Sequence, residues 1–393
     1  MHASLSASLT ASLIGMLVLV VGCRASLSEA LPYGADNASC ASCHVAQGED
    51  FARSAHDQSA QSPVFNSLLP HVDAAWGSLA RARCESCHAP VHLPPSEQHD
   101  AHGGIQCVSC HAAIGNRGTG DGRLVLDLNA PLDGPFGDGQ SPAHASQSRG
   151  FVSDAQLCLT CHEVTGPQLF VESSAAEYAQ AVERVNAPQC IDCHMPSLEP
   201  GSIALGSDRV RPRRSHTFVG PTPPERVDAD SLAAHGESLR SLFGHDRVLL
   251  ELEREGDALV VSLTNARLGH DLPTGSAFLR TLRVDVHFDL DAESVDAREV
   301  IVLGDQPFAG ESPRALPTDA DRIAHVRIAP GETESARVAI PSGARRALAT
   351  LSLRAYRASV LDALAGQLSS EERARLSLEV VVLETEIAIA QSP

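Results

Sequence analysis

The sequence predicts an α+β protein of two domains, a mainly α and irregular N-terminal region followed by an all-β sandwich. Three observations predict it. The motif Cys-x-x-Cys-His occurs five times, and every copy lies between residues 40 and 194. From residue 248 onward short apolar–polar alternations are cut by Gly, Pro, Asp and Asn, which is the period and punctuation of strands. The 393 residues leave room for two domains, yet they include only ten Phe, three Tyr and one Trp. A region so poor in large side chains needs something else at its centre.

The five motifs are Cys40-Ala41-Ser42-Cys43-His44, Cys84-Glu85-Ser86-Cys87-His88, Cys107-Val108-Ser109-Cys110-His111, Cys158-Leu159-Thr160-Cys161-His162 and Cys190-Ile191-Asp192-Cys193-His194. This spacing is that of c-type haem attachment. Two thiols bond the two vinyl groups and the next residue, histidine, lies under the ring to bind iron. Zinc sites and redox dithiols also use Cys-x-x-Cys, but neither requires the histidine. With 18 histidines in 393 residues, five such histidines by chance have a probability of roughly 2 in ten million. The expectation is five covalent haem c groups and their iron, with His44, His88, His111, His162 and His194 as proximal metal ligands. From Cys40 to His194 the chain spends roughly 31 residues per motif, too few to wrap each macrocycle separately. The haems must pack against one another as the core.

Net charge is −19, and haem propionates would add to it. Nucleic acid is excluded as a natural partner, and a basic protein is favoured. Ten of eleven cysteines belong to the motifs, leaving none for a structural disulfide. The eleventh, Cys23, follows the apolar run Leu13 to Val21 in Val20-Val21-Gly22-Cys23. The run has signal-peptide length and is short for a membrane span. The segment resembles the bacterial lipoprotein box, which implies lipidation of Cys23; its departure is an n-region without Lys or Arg. Ordinary cleavage near Ser28-Glu29-Ala30 is the alternative. Either route exports the chain, to the periplasm or cell surface of a bacterium, with a lipid anchor in the membrane on the first reading.

In order, residues 1–22 read as the signal peptide and 23–38 as a tether. Residues 39–222 form the haem domain. After the first motif, residues 47–56 are good helix formers. On a continuous helix His56 would stand about 18 Å from His44, whereas two ligands of one iron lie about 4 Å apart; His56 therefore suits another haem. Between the second and third motifs, Pro90, Pro94, Pro95, Gly103 and Gly104 forbid a long helix, and His92, His99 and His102 share that loop. Residues 112–143 are an excursion with a strand-like run at 124–128, ending before His144. Ser153-Asp154 should N-cap a helix carrying the fourth motif, and Ser173 to Val185 should be helical before the fifth. Residues 223–245 read as a helical connector. The β-domain, 246–393, contains alternating runs at 248–252, 258–263, 279–288, 299–303, 324–328, 334–340, 348–353 and 376–387. Seven or eight such strands suggest an antiparallel sandwich of immunoglobulin-like type.

The first region resembles the multihaem cytochrome c superfamily, near the tetrahaem cytochromes of hydroxylamine oxidation. The resemblance is carried by Cys40–His44 followed by Ser54-Ala55-His56, by the motif pair at 84–111, by His144, and by Cys190–Pro196 followed by Ser215-His216-Thr217-Phe218. Gly269-His270-Asp271-Leu272-Pro273-Thr274-Gly275 looks like a loop of β-domains attached to such cytochromes, as do Arg327–Glu332 and Leu353–Arg357. The resemblance implies bis-histidine ligation with distal ligands His56, His144 and His216. It extends to His270, which would fasten the sandwich to the haem domain, and to His102 as the fifth, with His92 behind it. His71, His235 and His245 stand in reserve.

The first expectation of function is electron transfer between redox partners, a quinol-linked or soluble donor such as a basic cytochrome and an exported acceptor, with no catalytic residue. The alternative is an oxidoreductase with one open haem acting on a small nitrogen or sulfur compound. Against it stand the absence of a Cys-x-x-Cys-Lys motif and the positions of Tyr33 and Tyr356 outside the haem region. A third reading makes the sandwich a docking or binding module.

Overall fold

The computed structural model describes residues 37–91, 104–118, 122–138, 141, 143–167, 169–223, 229–244, 246–290 and 298–389. The signal peptide with Cys23, most of the tether, His92, His99, His102 and His245 lie outside the described residues.

The N-terminal region contains α1 (Asn37–Ala41), α2 (Val45–Phe51), α3 (Pro63–Trp76), α4 (Ser78–His88) and α5 (Cys107–His111). Small sheets follow, built from β1 (Ala113–Asn116) with β2 (Leu124–Leu126), and β3 (Leu132–Asp133) with β4 (Ser146–Gln147). Then come α6 (Ala155–Leu159), β5 (Glu163–Thr165), β6 (Val171–Ser173), α7 (Ser174–Val185), α8 (Cys190–His194), β7 (Ser197–Ser202) and β8 (Val210–Arg214). Asp154 caps α6 by accepting from the Gln156 N–H at 2.8 Å, which satisfies one free donor of the first turn. The helix expected through residues 47–56 is shorter. It ends at Phe51, and the chain turns before His56. Apart from the 14-residue α3 and the flanking α4 and α7, these elements are only a few residues long. Such pieces are not stable alone, so their order comes from what they pack around.

The second region begins with α9 (Ala229–Phe243) and continues as β9 (Val248–Glu255), β10 (Ala258–Asn265), β11 (Thr281–Leu290), β12 (Arg298–Leu303), β13 (Gln306–Ala309), β14 (Ser312–Pro313), β15 (Arg322–Ala324), β16 (Thr333–Ala339) and β17 (Ala344–Arg354). It ends with α10 (Ala358–Ala363), α11 (Ser370–Leu376) and β18 (Glu379–Ala388). Two antiparallel sheets, ordered β16-β10-β9 and β12-β11-β17-β18, share one apolar core. Its centre holds Leu259, Val261 and Leu263 against Val284, Val286, Phe288 and Leu351, all without exposed surface. A small third sheet, β14-β13-β15, stands apart.

Two expected strands are corrected. The run at 324–328 is not one strand, because β15 ends at Ala324 and Ile328 makes an isolated bridge to Leu272. The run beginning at 376 starts instead at Glu379, because Ser369 and Glu372 form a reciprocal capping box that starts α11. The helical insert 358–376 and the third sheet were not expected.

Candidate functional site

A cavity of about 2570 Å³ runs between the two regions and is lined by the cysteines and histidines of all five motifs. Sites for one small molecule span roughly 300–1,000 Å³, so this one is built for several large groups. Among the described residues no three His, Cys, Asp or Glu side chains converge as a bare metal ion would need.

Each motif is close to a single helical turn. His44 and His162 return their N–H groups to Cys40 and Cys158 at 2.9 Å, and α5 and α8 are the motifs themselves. That turn puts both thiols and the imidazole on one side of the backbone. Four motif histidines direct Nδ1 at a backbone carbonyl: His44 at Ile203 (2.7 Å), His88 at Ser59 (3.0 Å), His111 at Asp133 (2.7 Å) and His194 at Val219 (2.7 Å). A carbonyl only accepts, so Nδ1 carries the proton and the Nε2 lone pair is left for iron. Asp133 is itself fixed, its carboxylate accepting from the N–H groups of Arg149 and Val152.

Four further histidines face the motif histidines His44, His162, His111 and His194. Ring centroids are 6.1 Å apart for His44 and His144, 6.0 Å for His56 and His162, 6.5 Å for His111 and His216, and 6.3 Å for His194 and His270. Two imidazoles across one metal, with bonds near 2 Å and about 1.1 Å from each nitrogen to its ring centre, would stand roughly 6 Å apart. His144, His216 and His270 also hold Nδ1 against a carbonyl, those of Ala145, Arg214 and Asp271. Burial, then the neighbouring His162, lowers the pKa of His56 to about 3; burial, then His270, lowers that of His194 to about 4. Burial likewise lowers His88, His111, His216 and His270. These rings are held neutral, the form that can ligate.

The histidine of the second motif differs. His88 is stacked face to face on Phe65 of α3, centroids 3.8 Å apart and planes 10° from parallel. A ring on the flat face of the imidazole lies beside the Nε2 lone pair, not on it, and so sets the rotation of the ligand. His102, expected as the fifth distal ligand, lies outside the described residues. Of the reserve histidines, His71 is not part of the cavity wall. His235 is, and its Nε2 is buried without a partner.

The motifs themselves are close neighbours. Cys40 neighbours Cys107, Cys87 neighbours Cys161 and Cys158 neighbours Cys190, while Cys110 lies near both Cys158 and Cys161. The first motif thus adjoins the third, the third adjoins the fourth, and the fourth adjoins the second and the fifth.

His270 comes from the second region, on the loop between β10 and β11. A buried network seats that loop. Glu177 of α7 accepts from the Asp271 N–H (3.1 Å) and from the Thr274 hydroxyl, and Arg327 donates to its other oxygen at 2.9 Å. Arg327 also forks onto Asp305, with bonds of 2.8 and 2.5 Å. All three side chains are less than a tenth exposed. Arg327 stood within a quoted sequence segment, but Glu177 looked like any helix carboxylate and Phe65 like any core ring.

Residues 39–112 match the family described as cytochrome c554 and c-prime. Among curated proteins none matches the chain. Among solved structures, the penta-heme cytochrome c552 from Thermochromatium tepidum is similar at 20% identity and a TM-score of 0.65, covering 91% of this chain and 99% of that one. A superoxide reductase from Nanoarchaeum equitans aligns at 8% identity and a TM-score of 0.17, over 37% of this chain and 95% of its own; so weak a likeness bears no argument. The similarity to the penta-heme protein is one of fold, and it spans both regions. Five attachment motifs open into one cavity, the family match runs over the first three of them, and the penta-heme protein shares the fold.

Proposed function

We propose that the chain carries five covalent haem c groups and transfers electrons between redox partners outside the cytoplasm. The observation that carries this reading is the set of four histidine pairs, each about 6 Å ring to ring and most with Nδ1 held by a carbonyl. Such pairs would give four irons two strong ligands each, and haem supplies the redox chemistry when bound. The protein's own residues orient the imidazoles, keep them neutral and exclude water. With a haem on each motif, the neighbouring motifs would give the order first, third and fourth, with a branch at the fourth toward the second and the fifth. Partners would then dock near the first haem at one end and near either branch at the other. The acidic surface favours a basic donor or acceptor, and lipidation at Cys23 would keep the protein at a membrane. The β-domain, of immunoglobulin-like type on this reading, would supply one iron ligand through His270.

His88 favours a second reading. No imidazole among the described residues stands across from it, and Glu172 lies close enough to act on it electrostatically. An open iron there would suit an oxidoreductase acting on a small nitrogen or sulfur compound.

Low-temperature EPR of the oxidised holoprotein, with spins counted against total haem, tests both. Five low-spin irons support the electron carrier. One stoichiometric high-spin iron beside four low-spin ones moves the assignment to the second reading. Fewer than four low-spin irons would overturn the histidine pairing.

A further inference from the structure

Arg280 follows the loop that carries His270 and lines the wall of the haem cavity. Its main chain is fixed on both sides: its N–H donates to Ala277 at 3.2 Å, and Arg357 donates to its carbonyl at 3.1 Å. The guanidinium has no such anchor. Its Nε is buried with no hydrogen-bond partner, and among the described residues no carboxylate forms an ion pair with it. Glu172 is close, since both side chains reach to 3.9 Å from the space beside Gly275. That carboxylate is engaged by the Ser276 hydroxyl instead. The buried ring of Tyr356 is the other neighbour.

A guanidinium stays charged in any protein environment. Buried without a counter-ion it costs several kcal/mol, and its fork matches planar, two-oxygen anions. Burial weakens its hold on the proton while Tyr356 and Glu172 oppose that, which agrees with a cation lacking its main partner. Its field reaches His270, while that of Glu172 reaches His88. Arg280 therefore stands on the wall between the second and fifth haem positions.

We propose that Arg280 is an anion-binding residue of the haem chamber, pairing with a carboxylate-type group: either a propionate of an adjacent haem or a small oxyanion that enters from solvent. The inference rests on the haem-filled reading of the cavity. Glu172 and Ser276 are held together, so they leave the guanidinium free for the incoming anion.

The test compares the Arg280→Gln and wild-type holoproteins, with the haem-to-protein ratio measured first. A ratio below five in the wild type counts against the haem reading and not against Arg280 alone. Midpoint potentials are then titrated between pH 5 and 8, and EPR spectra are recorded with and without formate or nitrite. If the partner is a propionate, wild type ignores both probes. Arg280→Gln then gives one haem a lower potential that newly depends on pH, because a propionate without its cation takes up a proton on reduction. If the partner is diffusible, formate or nitrite perturbs one wild-type haem, and Arg280→Gln weakens that binding at least tenfold. Should Arg280→Gln fail to assemble, Arg280→Lys keeps the charge but loses the fork, and the same two readouts apply. Unchanged potentials, pH dependence and anion response in an assembled variant overturn the proposal.

Discussion

His56 and His162 face each other with ring centroids 6.0 Å apart, although the first follows the first motif and the second ends the fourth. The relationship works because α2 stops at Phe51 and the chain turns before His56. His56 is then held against Phe218, 4.6 Å away and edge to face. His56→Ala should therefore change the haem of His162 and leave that of His44 as it is. The expected outcome is loss of one low-spin EPR signal, recovered when free imidazole is added. Loss of the signal from the His44 haem instead would break the pairing scheme.

Glu177→Ala should loosen the seat of His270. Arg327 keeps its fork onto Asp305, but the Asp271 N–H and the Thr274 hydroxyl lose their acceptor, which costs about 1–3 kcal/mol. Equilibrium denaturation followed by far-UV circular dichroism measures the cost. The absorption spectrum should show the fifth haem losing its second strong ligand before the other four change.

Phe65→Ala should free the rotation of the His88 imidazole. A stacked aromatic pair contributes roughly 0.5–1.5 kcal/mol beyond its area, so the fold should survive. The g-values of one haem should move and the rest stay put. A uniform change across all haems would point to general loosening of α3 and α4.

Phe288 is fully buried where the two main sheets of the β-domain meet. Phe288→Ala should cost about 3–5 kcal/mol. Since the His270 loop belongs to that domain, the denaturant midpoint read at the fifth haem should fall together with the midpoint read from β-structure. Independent midpoints would mean that His270 is held by the haem domain alone.

Much of this arrangement is legible in the sequence, for physical reasons. Covalent attachment needs a fixed spacing of residue types, so the five motifs stand out without any fold. Asp154 as a helix cap and the alternation of β9, β10, β11 and β16 are local properties, and local properties can be read locally. The pairings of histidines are different. His44 meets His144, and His111 meets His216, because a shared cavity gathers segments far apart in the chain; spacing alone cannot say which segment arrives where. The run at 376–387 was misplaced because its apolar pattern suited a strand while Ser369 and Glu372 had already committed the preceding turn to a helix. The network of Glu177, Arg327 and Asp305 was invisible for a related reason: each partner is an ordinary charged residue until the two domains meet.

The position of His270 sets an order of events during biosynthesis. On the export proposed above, Cys190 and Cys193 would be translocated before residues 246–393, so the fifth haem could be attached while its second ligand was still missing. On the ligation scheme proposed above, that iron stays exposed until β10 and β11 have paired and the Glu177 contacts have closed. A chain that breaks off early, or whose last strand fails to join β17, would keep a reactive haem in an oxidising compartment. On that scheme the last bond to iron would close only in a chain whose final strands have joined their sheet.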